Sequence, residues 1–567
     1  MPSFRLREAD PDLCAELSRE LGLHPVTAHV LATRGVESVE QGRAFLSPDA
    51  SLLHAPQRLE DMDRAVLAVE AALAQRRRIA VYGDYDVDGV CGTALLALVL
   101  RFFGGEVTTF IPHRVRDGYG LSGAALEELR AAGCSLVVTV DNGTTRPAEI
   151  AQAQERGLAV VVTDHHEPGP ELPPCPLVNP KRRDSSYPFT GLSGTGVAFK
   201  LAWALAEHRA ALDHPGLKQL WPDLLALTAV GTVADVMPLR DENRALVAMG
   251  LQALSASARP GFRALLEVSG CAGRPLRADD IGWRLGPRIN AAGRLGSAGL
   301  ALDLLLCEDP DKAQDLAAQL ETINRQRQRI DRRQSEQALE RARAELERDP
   351  ELPALVLWDA GWHPGVIGIV AARVAQTFDR PAVLLTIDGT DARGSARSFG
   401  CARLHELLDR CGEHLNTYGG HALAAGCTLE ASSLDAFREA FLAAAAQAGT
   451  GPSGPREVDA ELPVDAVSVS LLQEVERLAP FGAGNREPVF AACGLRTAGK
   501  RRLVGSQGKH LSFYAAGERS ALPAIAFNRA EDEPLLHAPF DMAFALRRGS
   551  GAEPVELHVH AILPAAS

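Results

Sequence analysis

The chain has 567 residues, 46% hydrophobic and 23% charged, with 59 Lys and Arg against 72 Asp and Glu for a net charge of −13. At roughly 100–200 residues per domain this predicts three or four domains of an ordinary soluble globular protein. The acidic balance argues against a protein that coats duplex DNA, since phosphate contacts call for a basic surface, and an aromatic content of 5% argues against a broad base-stacking face; a narrow basic channel on an acidic body remains open. Ten cysteines occur and none forms a C-x-x-C pair, so zinc-ribbon and redox motifs are not expected. Single scattered cysteines read as small buried hydrophobes in a reducing compartment. There is no apolar run of signal-peptide type at the N-terminus and no stretch of 18 or more apolar residues, which makes the cytoplasm the expected location.

Residues 1–55 read as an N-terminal helical extension packed on the unit that follows. Within 56–308, short β-rich runs at Ile79–Tyr82, Val107–Ile111, Leu136–Val140 and Ala159–Thr163 alternate with helical patterns at Thr93–Phe103, Gly123–Ala132 and Pro147–Arg156. That alternation predicts an α/β multidomain chain whose first domain is a doubly wound parallel sheet. Residues 309–350 read as a linking helix: from Pro310 to Asp349 no Pro or Gly intervenes, and Leu316, Leu320, Ile323 and Ile330 keep one apolar stripe. Its arginines Arg325, Arg327, Arg329, Arg332 and Arg333 fit a solvated face or a nucleic-acid contact equally well. Residues 351–447 form a second, smaller α/β domain, with strands at Ala354–Leu357 and Ala382–Ile387 around a helix from Val366 to Phe378. A Gly/Pro/Ser stretch at 448–455 reads as a linker. Short β-runs in 457–567, among them Pro488–Ala491, Leu511–Tyr514 and Val555–Ile562, suggest a small β-barrel.

The strongest chemical signal is I-A-V-Y-G-D-Y-D-V-D-G at 79–89, an apolar strand running into Asp84, Asp86 and Asp88 and then a helix beginning near Gly92. Ligands of open α/β sheets collect beyond the carboxyl ends of strands. Three carboxylates there raise one another's pKa unless a cation neutralises them, and hard oxygens in this number suit Mg²⁺ or Mn²⁺. The D-x-D-x-D-G spacing also opens an EF-hand, but a strand precedes it here and an apolar helix follows at once. Two further strands end alike, in Asp141-Asn-Gly-Thr and Asp164-His-His. One such Asp would read as a turn or N-cap residue; three in one sheet do not. Asp235, in the apolar segment G-T-V-A-D-V-M-P at 231–238, fits either a helix cap or a fourth ligand.

D-Y-D-V-D-G, V-D-N-G-T, T-D-H-H and G-T-V-A-D-V-M-P-L, in this order, resemble the four motifs of the DHH phosphoesterase superfamily. The segments I-P-H-R-V-R-D-G-Y-G-L at 111–121, G-P-R-I-N-A-A-G-R-L at 286–295 and L-A-P-F-G-A-G-N at 478–485 are similar to the RecJ single-stranded-DNA exonucleases within it. The second α/β domain resembles the DHHA1 domain through W-H-P-G-V-I-G-I at 362–369, G-S-A-R-S at 394–398 and G-G-H-A-L-A-A-G at 419–426, and the barrel resembles an OB-fold.

The resemblance implies hydrolysis of single-stranded DNA from the 5′ end to mononucleotides, in DNA repair and recombination, with two divalent ions, Mn²⁺ or Mg²⁺. Carried over by motif, Asp84 and Asp86 belong to one metal, Asp88, His165 and Asp235 to the other, and Asp141 bridges. Asp164 orients its neighbours and His166 donates a hydrogen bond to the phosphate. Water activated at a metal attacks phosphorus in line, so no covalent enzyme intermediate is needed. Ser395, Arg397 and His421 suit a substrate phosphate, the 5′ end among the choices. Arg288, Asn290 and Arg294 read as backbone contacts, and Arg114, Arg116 and Tyr119 as trackers of the next nucleotides, with surface salt bridges as the bland alternative. Single-strand-binding protein and recombination mediators are partners implied by the family, with no membrane. The competing enzyme reading is a DHH phosphodiesterase of short oligonucleotides or cyclic dinucleotides. An inactive binding scaffold is a third reading, against which every expected ligand is present.

Overall fold

The computed structural model describes residues 4–114, 120–398, 403–449, 457–505, 507–549 and 553–565. Arg116, Tyr119 and most of the predicted linker lie outside the described residues. Two compact units are formed, one of residues 1–110, 120–286 and 455–567, the other of 111–119 and 287–454.

The first unit opens with β1 (Arg5–Leu6), α1 (Pro11–Leu21), α2 (Pro25–Thr33), α3 (Val39–Leu46) and α4 (Met62–Ala74). Then come β2 (Arg78–Tyr82), α5 (Val87–Phe102), β3 (Val107–Phe110), α6 (Gly123–Ala131), β4 (Cys134–Val140), α7 (Pro147–Glu155), β5 (Ala159–Thr163) and β6 (Leu177–Val178). The five strands β2–β6 form one wholly parallel sheet in the order β3-β2-β4-β5-β6. Parallel strands covered on both faces read as continuous Val/Ile/Leu runs, which is why they are legible. On one face Ala80, Tyr82, Val137, Val160 and Val162 pack against Leu126 and Leu129 of α6 and Ile150 of α7. The alternate residues Ile79, Val81, Val138 and Val161 are equally buried. Helices α8 (Gly194–His208), α9 (Pro215–Ala234), α10 (Asp241–Ala256), α11 (Pro260–Val268) and the single turn α12 (Ala278–Asp280) follow, and α12 runs into a π-helical turn at Ile281–Leu285.

The second unit holds α13 (Gly286–Leu295, from Pro287 on), α14 (Gly299–Leu306) and α15 (Pro310–Arg348), a 39-residue helix N-capped by Asp309. After these come β7 (Leu355–Asp359), α16 (Ile367–Phe378), β8 (Ala382–Asp388), β9 (Asp391–Arg397), α17 (Leu404–Asp409), β10 (Thr417–Gly420), β11 (Ala424–Glu430) and α18 (Leu434–Ala448). The sheet order is β10-β11-β9-β8-β7, parallel between β7 and β8 and antiparallel elsewhere. Ala338 and Ala342 of α15 share a core with α16, β7 and β8. Two of the arginines of α15 are spent locally: Arg325 pairs with Glu321 at 2.7 Å and Arg327 donates to Asn324 at 2.6 Å.

The chain then returns to the first unit with β12 (Glu457–Val458), β13 (Ala460–Glu461), α19 (Val469–Glu476), β14 (Phe490–Val504), β15 (His510–Ala516), β16 (Ala521–Ala526), β17 (Phe540–Arg548) and β18 (Val555–Pro564). The order β14-β15-β16-β18-β17, closed by a β14–β17 pairing, makes a five-stranded barrel with no free edge. One expectation is corrected here. The N-terminal helices do not pack chiefly on the first sheet: Leu17, Leu23, Val30 and Leu31 share their core with Leu471, Phe490, Phe513 and Phe544 of the barrel domain. The barrel needs an apolar cover at its α19 side, and the stripe of α1 and α2 supplies it. Arg244 of α10 secures the junction. Its buried guanidinium donates to the carbonyls of Phe45 (2.9 Å), Leu478 (3.0 Å) and Ala479 (2.7 Å) and stacks 3.8 Å from the Phe45 ring centroid. Among the described residues no helix is long and apolar enough to cross a membrane.

Candidate metal centre

Strands β2, β4 and β5 are neighbours and parallel, so their carboxyl ends emerge side by side. Asp84 follows β2, Asp141 follows β4 and Asp164 follows β5. Asp141 sits in the left-handed region (φ 63), a conformation that Asp tolerates better than most residues. Its backbone N–H donates to the Thr163 carbonyl at 3.0 Å. The turn then needs Gly143 (φ +110), where a Cβ would press on Thr139 and Val162.

Helix α5 starts at Val87, five residues before the expected Gly92, and Asp86 is its N-cap, accepting from the N–H groups of Asp88 (3.0 Å) and Gly89 (3.1 Å). The glycines look like loop signals but serve close approach. A Cβ on Gly89 would lie 2.4 Å from the Asp84 nitrogen, and one on Gly92 2.4 Å from Val140. Asp88 therefore stands in the first helical turn. Its carboxylate accepts from the N–H groups of Gly194 (2.6 Å) and Thr195 (3.0 Å), at the N-terminus of α8, where a helix favours negative charge. Gly194, Thr195 and Gly231 are residues the sequence reading missed. A Cβ on Gly231 would lie 2.5 Å from Asp88 Oδ1, which explains the glycine four residues before Asp235. The local signal was the small-residue run S-G-T-G ahead of an apolar helix.

Asp235 is the C-cap of α9. A carboxylate is disfavoured at that end by the helix dipole, so capping does not account for it. Asp235 Oδ2 lies 3.5 Å from His165 Nε2, which is also 3.0 Å from Asp141 Oδ1 and 4.0 Å from Asp88 Oδ2. Asp164 Oδ1 accepts from the backbone N–H groups of His165 (2.7 Å) and His166 (3.2 Å) and lies 2.8 Å from His166 Nδ1, while Oδ2 accepts from the Thr144 N–H at 3.0 Å. It thus orients the His166 imidazole directly and fixes the backbone of His165.

Among the described residues, three groups of side chains have ligand atoms within 4.8 Å of one another: Asp84, Asp86 and Asp141; Asp88, His165 and Asp235; and Asp141, His165 and His166. Asp141 belongs to two of them. Two buried carboxylate oxygens, Asp141 Oδ1 and Asp235 Oδ2, meet the His165 ring but accept no well-formed hydrogen bond from the described residues. Buried polar atoms are almost always satisfied, so these two oxygens fit a cation. Charge agrees. Burial, then the neighbouring Asp88 and Asp86, push the carboxyls of Asp141 and Asp235 well above the usual range, and burial with Asp88 raises Asp86. Burial lowers His165. His166 is raised despite burial, because Asp164 stabilises its charged form, and Asp164 is correspondingly depressed although it is buried. Lys181, ion-paired with Glu167 at 3.4 Å, adds a positive charge beside Asp235 that the sequence reading did not pick out.

Trp283 was also missed. It stands on the π-helical turn and is 80% exposed. That turn leads to Gly286, whose added Cβ would lie 3.7 Å from Ala234 and 3.9 Å from Val87, each beside a carboxylate of the cluster.

In the second unit, Ser395 and Arg397 alternate along β9 and so share a face. Arg397 Nη1 donates to Ser395 Oγ at 3.0 Å. Gly368 lies in the first turn of α16, where a Cβ would be 2.9 Å from Arg397 Nη2 and 3.0 Å from Ser395 Oγ. No side chain caps that helix. Burial and the nearby Arg114 both lower the Arg397 pKa; two cations this close suit an anion. His421 lies in the β10–β11 turn, its N–H donating to Ala424, which pairs with Arg397 across the strands. Arg288 pairs with Glu321 at 2.8 Å and Arg294 donates to the Gly365 carbonyl at 2.9 Å, so both are partly engaged within the protein. Asn290 is half-buried on α13.

Comparison with known proteins follows the same divisions. Residues 78–232 match the DHH family N-terminal domain, 351–447 the DHHA1 domain and 458–559 the RecJ OB domain. The single-stranded-DNA-specific exonuclease RecJ of Escherichia coli (strain K12) is 35% identical, with 93% of this chain and 92% of that protein covered. The same-named protein of Bacillus subtilis (strain 168) is 35% identical over 93% of this chain and 66% of its own length. Among solved structures, RecJ from Thermus thermophilus in complex with Mn²⁺ matches at a TM-score of 0.84 and 33% identity, covering 99% of this chain and 80% of that one. A structure of the same protein with Mg²⁺ matches at a TM-score of 0.77 and 31% identity, covering 99% and 78%. With its sheet, barrel and acidic cluster in that company, the chain belongs to the RecJ family of single-stranded-DNA-specific exonucleases.

Proposed function

We propose that this chain hydrolyses single-stranded DNA from its 5′ end to mononucleotides, with two divalent ions, Mn²⁺ or Mg²⁺, in DNA repair and recombination. The observation that carries the reading is the convergence of buried acids and imidazoles into clusters of ligand atoms, where the Asp141 and Asp235 oxygens meet the His165 ring without a well-formed hydrogen bond. Asp84 and Asp86 would hold one ion, Asp88, His165 and Asp235 the other, with Asp141 shared. When bound, such ions lower the pKa of water and stabilise charge on phosphoryl oxygens.

The chain's own groups do the rest. The N-terminus of α8 fixes Asp88 through two N–H groups. Asp164 holds the ring of His166 at Nδ1 and favours its charged form, which leaves Nε2–H as a donor to a phosphate oxygen. Ser395, Arg397, His421 and the first turn of α16 form a cradle for a terminal phosphate, with Arg114 adding charge. Trp283 offers an exposed face on which a base can stack. Arg288, Asn290 and Arg294 act on the DNA backbone as far as their internal partners allow. The protein partners in this reading are single-strand-binding protein and recombination mediators.

The deciding experiment incubates the protein with a long 5′-labelled single strand and Mn²⁺. Labelled mononucleotide is expected from the first turnovers. Cleavage of dinucleotides or cyclic dinucleotides with the long strand left intact would replace this reading with that of a small-substrate phosphodiesterase.

A further inference from the structure

The turn that carries Asp235 is clamped by the barrel domain. Immediately after Asp235, Val236 takes a left-handed conformation (φ 59) and is 69% exposed. A β-branched residue there is strained, by roughly 1–3 kcal/mol, and holds that shape only where its surroundings over-determine it. The end of α9 supplies part of that restraint, with the Met237 N–H donating to the Thr232 carbonyl at 3.1 Å, and the next residues add to it. The Leu239 N–H donates to the Ala483 carbonyl at 2.7 Å, and Arg240 Nε donates to the Gly484 carbonyl at 2.7 Å. The Asn243 amide donates to the Pro238 and Gly191 carbonyls at 3.1 and 2.6 Å.

The clamping segment is itself rigid. Gly482 and Asn485 exchange backbone hydrogen bonds of 2.9 and 3.2 Å, and the buried Asn485 amide donates to Leu478 and Pro480 at 2.8 and 2.9 Å. Its glycines permit the contact. A Cβ on Gly482 would lie 2.8 Å from Leu239 Cδ1, and one on Gly484 (φ +71) 3.1 Å from Pro238 Cβ.

We propose that the Pro480–Asn485 segment is a positioning element for Asp235, so that the terminal barrel, whatever it does for DNA, helps build the metal centre. The inference rests on the reading of Asp235 as a metal ligand. Asn485 and Arg240 are positioning residues that act through the turn at Val236. Loosening either one weakens one of the two ions and lowers kcat, while KM for DNA stays.

The test uses the full chain with Asn485→Ala and, should that variant fold poorly, Arg240→Lys, which keeps the charge but loses the Nε geometry. Bound Mn²⁺ is titrated by electron paramagnetic resonance without DNA, single-strand affinity is measured in chelator, and kcat and KM are determined. The expected result is a loss of about tenfold in Mn²⁺ affinity at one of two sites, DNA affinity within about twofold, and partial recovery when Val236→Gly is added, since glycine adopts this φ without cost. Unchanged Mn²⁺ affinity with weakened DNA binding would overturn the proposal, as would a loss that Val236→Gly does not relieve. Asp235→Asn is the control: if it leaves both Mn²⁺ sites intact, the ligand reading itself fails, whereas a lost site beside an inert Arg240→Lys and Asn485→Ala refutes only the positioning role.

Discussion

Gly194→Ala probes the proposed metal centre without removing a proposed ligand. The new Cβ would lie 2.5 Å from Asp141 Cβ and 2.8 Å from its Oδ1, against an ordinary contact of 3.4 Å or more, so about 0.9 Å must be found. Gly194 cannot easily retreat, because its N–H and that of Thr195 hold the Asp88 carboxylate at 2.6 and 3.0 Å. Asp141 is tethered through its own N–H to Thr163 at 3.0 Å. The displacement therefore falls on one of two carboxylates that both belong to the cluster. Overpacking of this kind costs about 1–3 kcal/mol of stability, less than the usual total of about 5–15 kcal/mol. A misplacement near 1 Å costs about 100-fold in rate. Nucleotide release from a labelled strand in Mn²⁺, followed beside thermal melting, is expected to show a folded protein with kcat down about 100-fold and KM within about threefold. Turnover within about threefold of the parent would refute the idea that Asp141 must stand where it does.

Arg397→Ala should raise KM for 5′-phosphorylated strands by about 10- to 100-fold, as expected for a charged hydrogen bond, and leave 5′-hydroxyl strands nearly unaffected; equal losses on both ends would argue against a terminal-phosphate cradle. Trp283→Ala should weaken single-strand binding by about 1–3 kcal/mol with Trp283→Phe largely restoring it, measured by anisotropy in chelator. Asp61→Asn should cost about 1–2 kcal/mol at neutral pH. The Asp61 carboxyl is held below the usual range, against its burial, by Arg182 at 2.6 Å, the Leu177 N–H and Arg64. A depressed folded pKa stabilises above the ordinary carboxylate value near 3.9 and loses that contribution as pH falls through the folded value, so denaturant curves of the variant and the parent should converge in acid.

Four of the five strands of the first sheet were legible to within two residues, because buried parallel strands carry uninterrupted apolar runs that end in polar turns, whereas the two-residue β6 is too short to carry such a run. The acidic residues at their ends were legible for the same reason: the sheet itself gathers them. Whatever depended on approach between distant segments was hidden. Gly89 and Gly92 look like loop residues until Asp84 and Val140 are seen to lie against them. Gly194 and Gly231 carry no chemistry, yet Asp88 and Asp141 could not stand where they do with a side chain at either. Asp235 was ambiguous because its meaning depends on which end of a helix it occupies. The pairing of α1 and α2 with the barrel joins residues more than 400 positions apart, beyond any local pattern.

Arg244 alters what counts as a part of this molecule. Family models carve residues 78–232 and 458–559 as separate stretches, as if each could be inherited alone. The guanidinium stays charged at any physiological pH, and its donors are committed to Phe45 on one flank and to Leu478 and Ala479 on the other. Arg244 and Phe45 lie in neither stretch. A chain lacking 458–559 would open that guanidinium to water and lose two of these three carbonyl acceptors, each hydrogen bond to a charged group being worth about 1.5–3 kcal/mol. The two stretches are thus coupled in the folding equilibrium to a residue that neither family model includes.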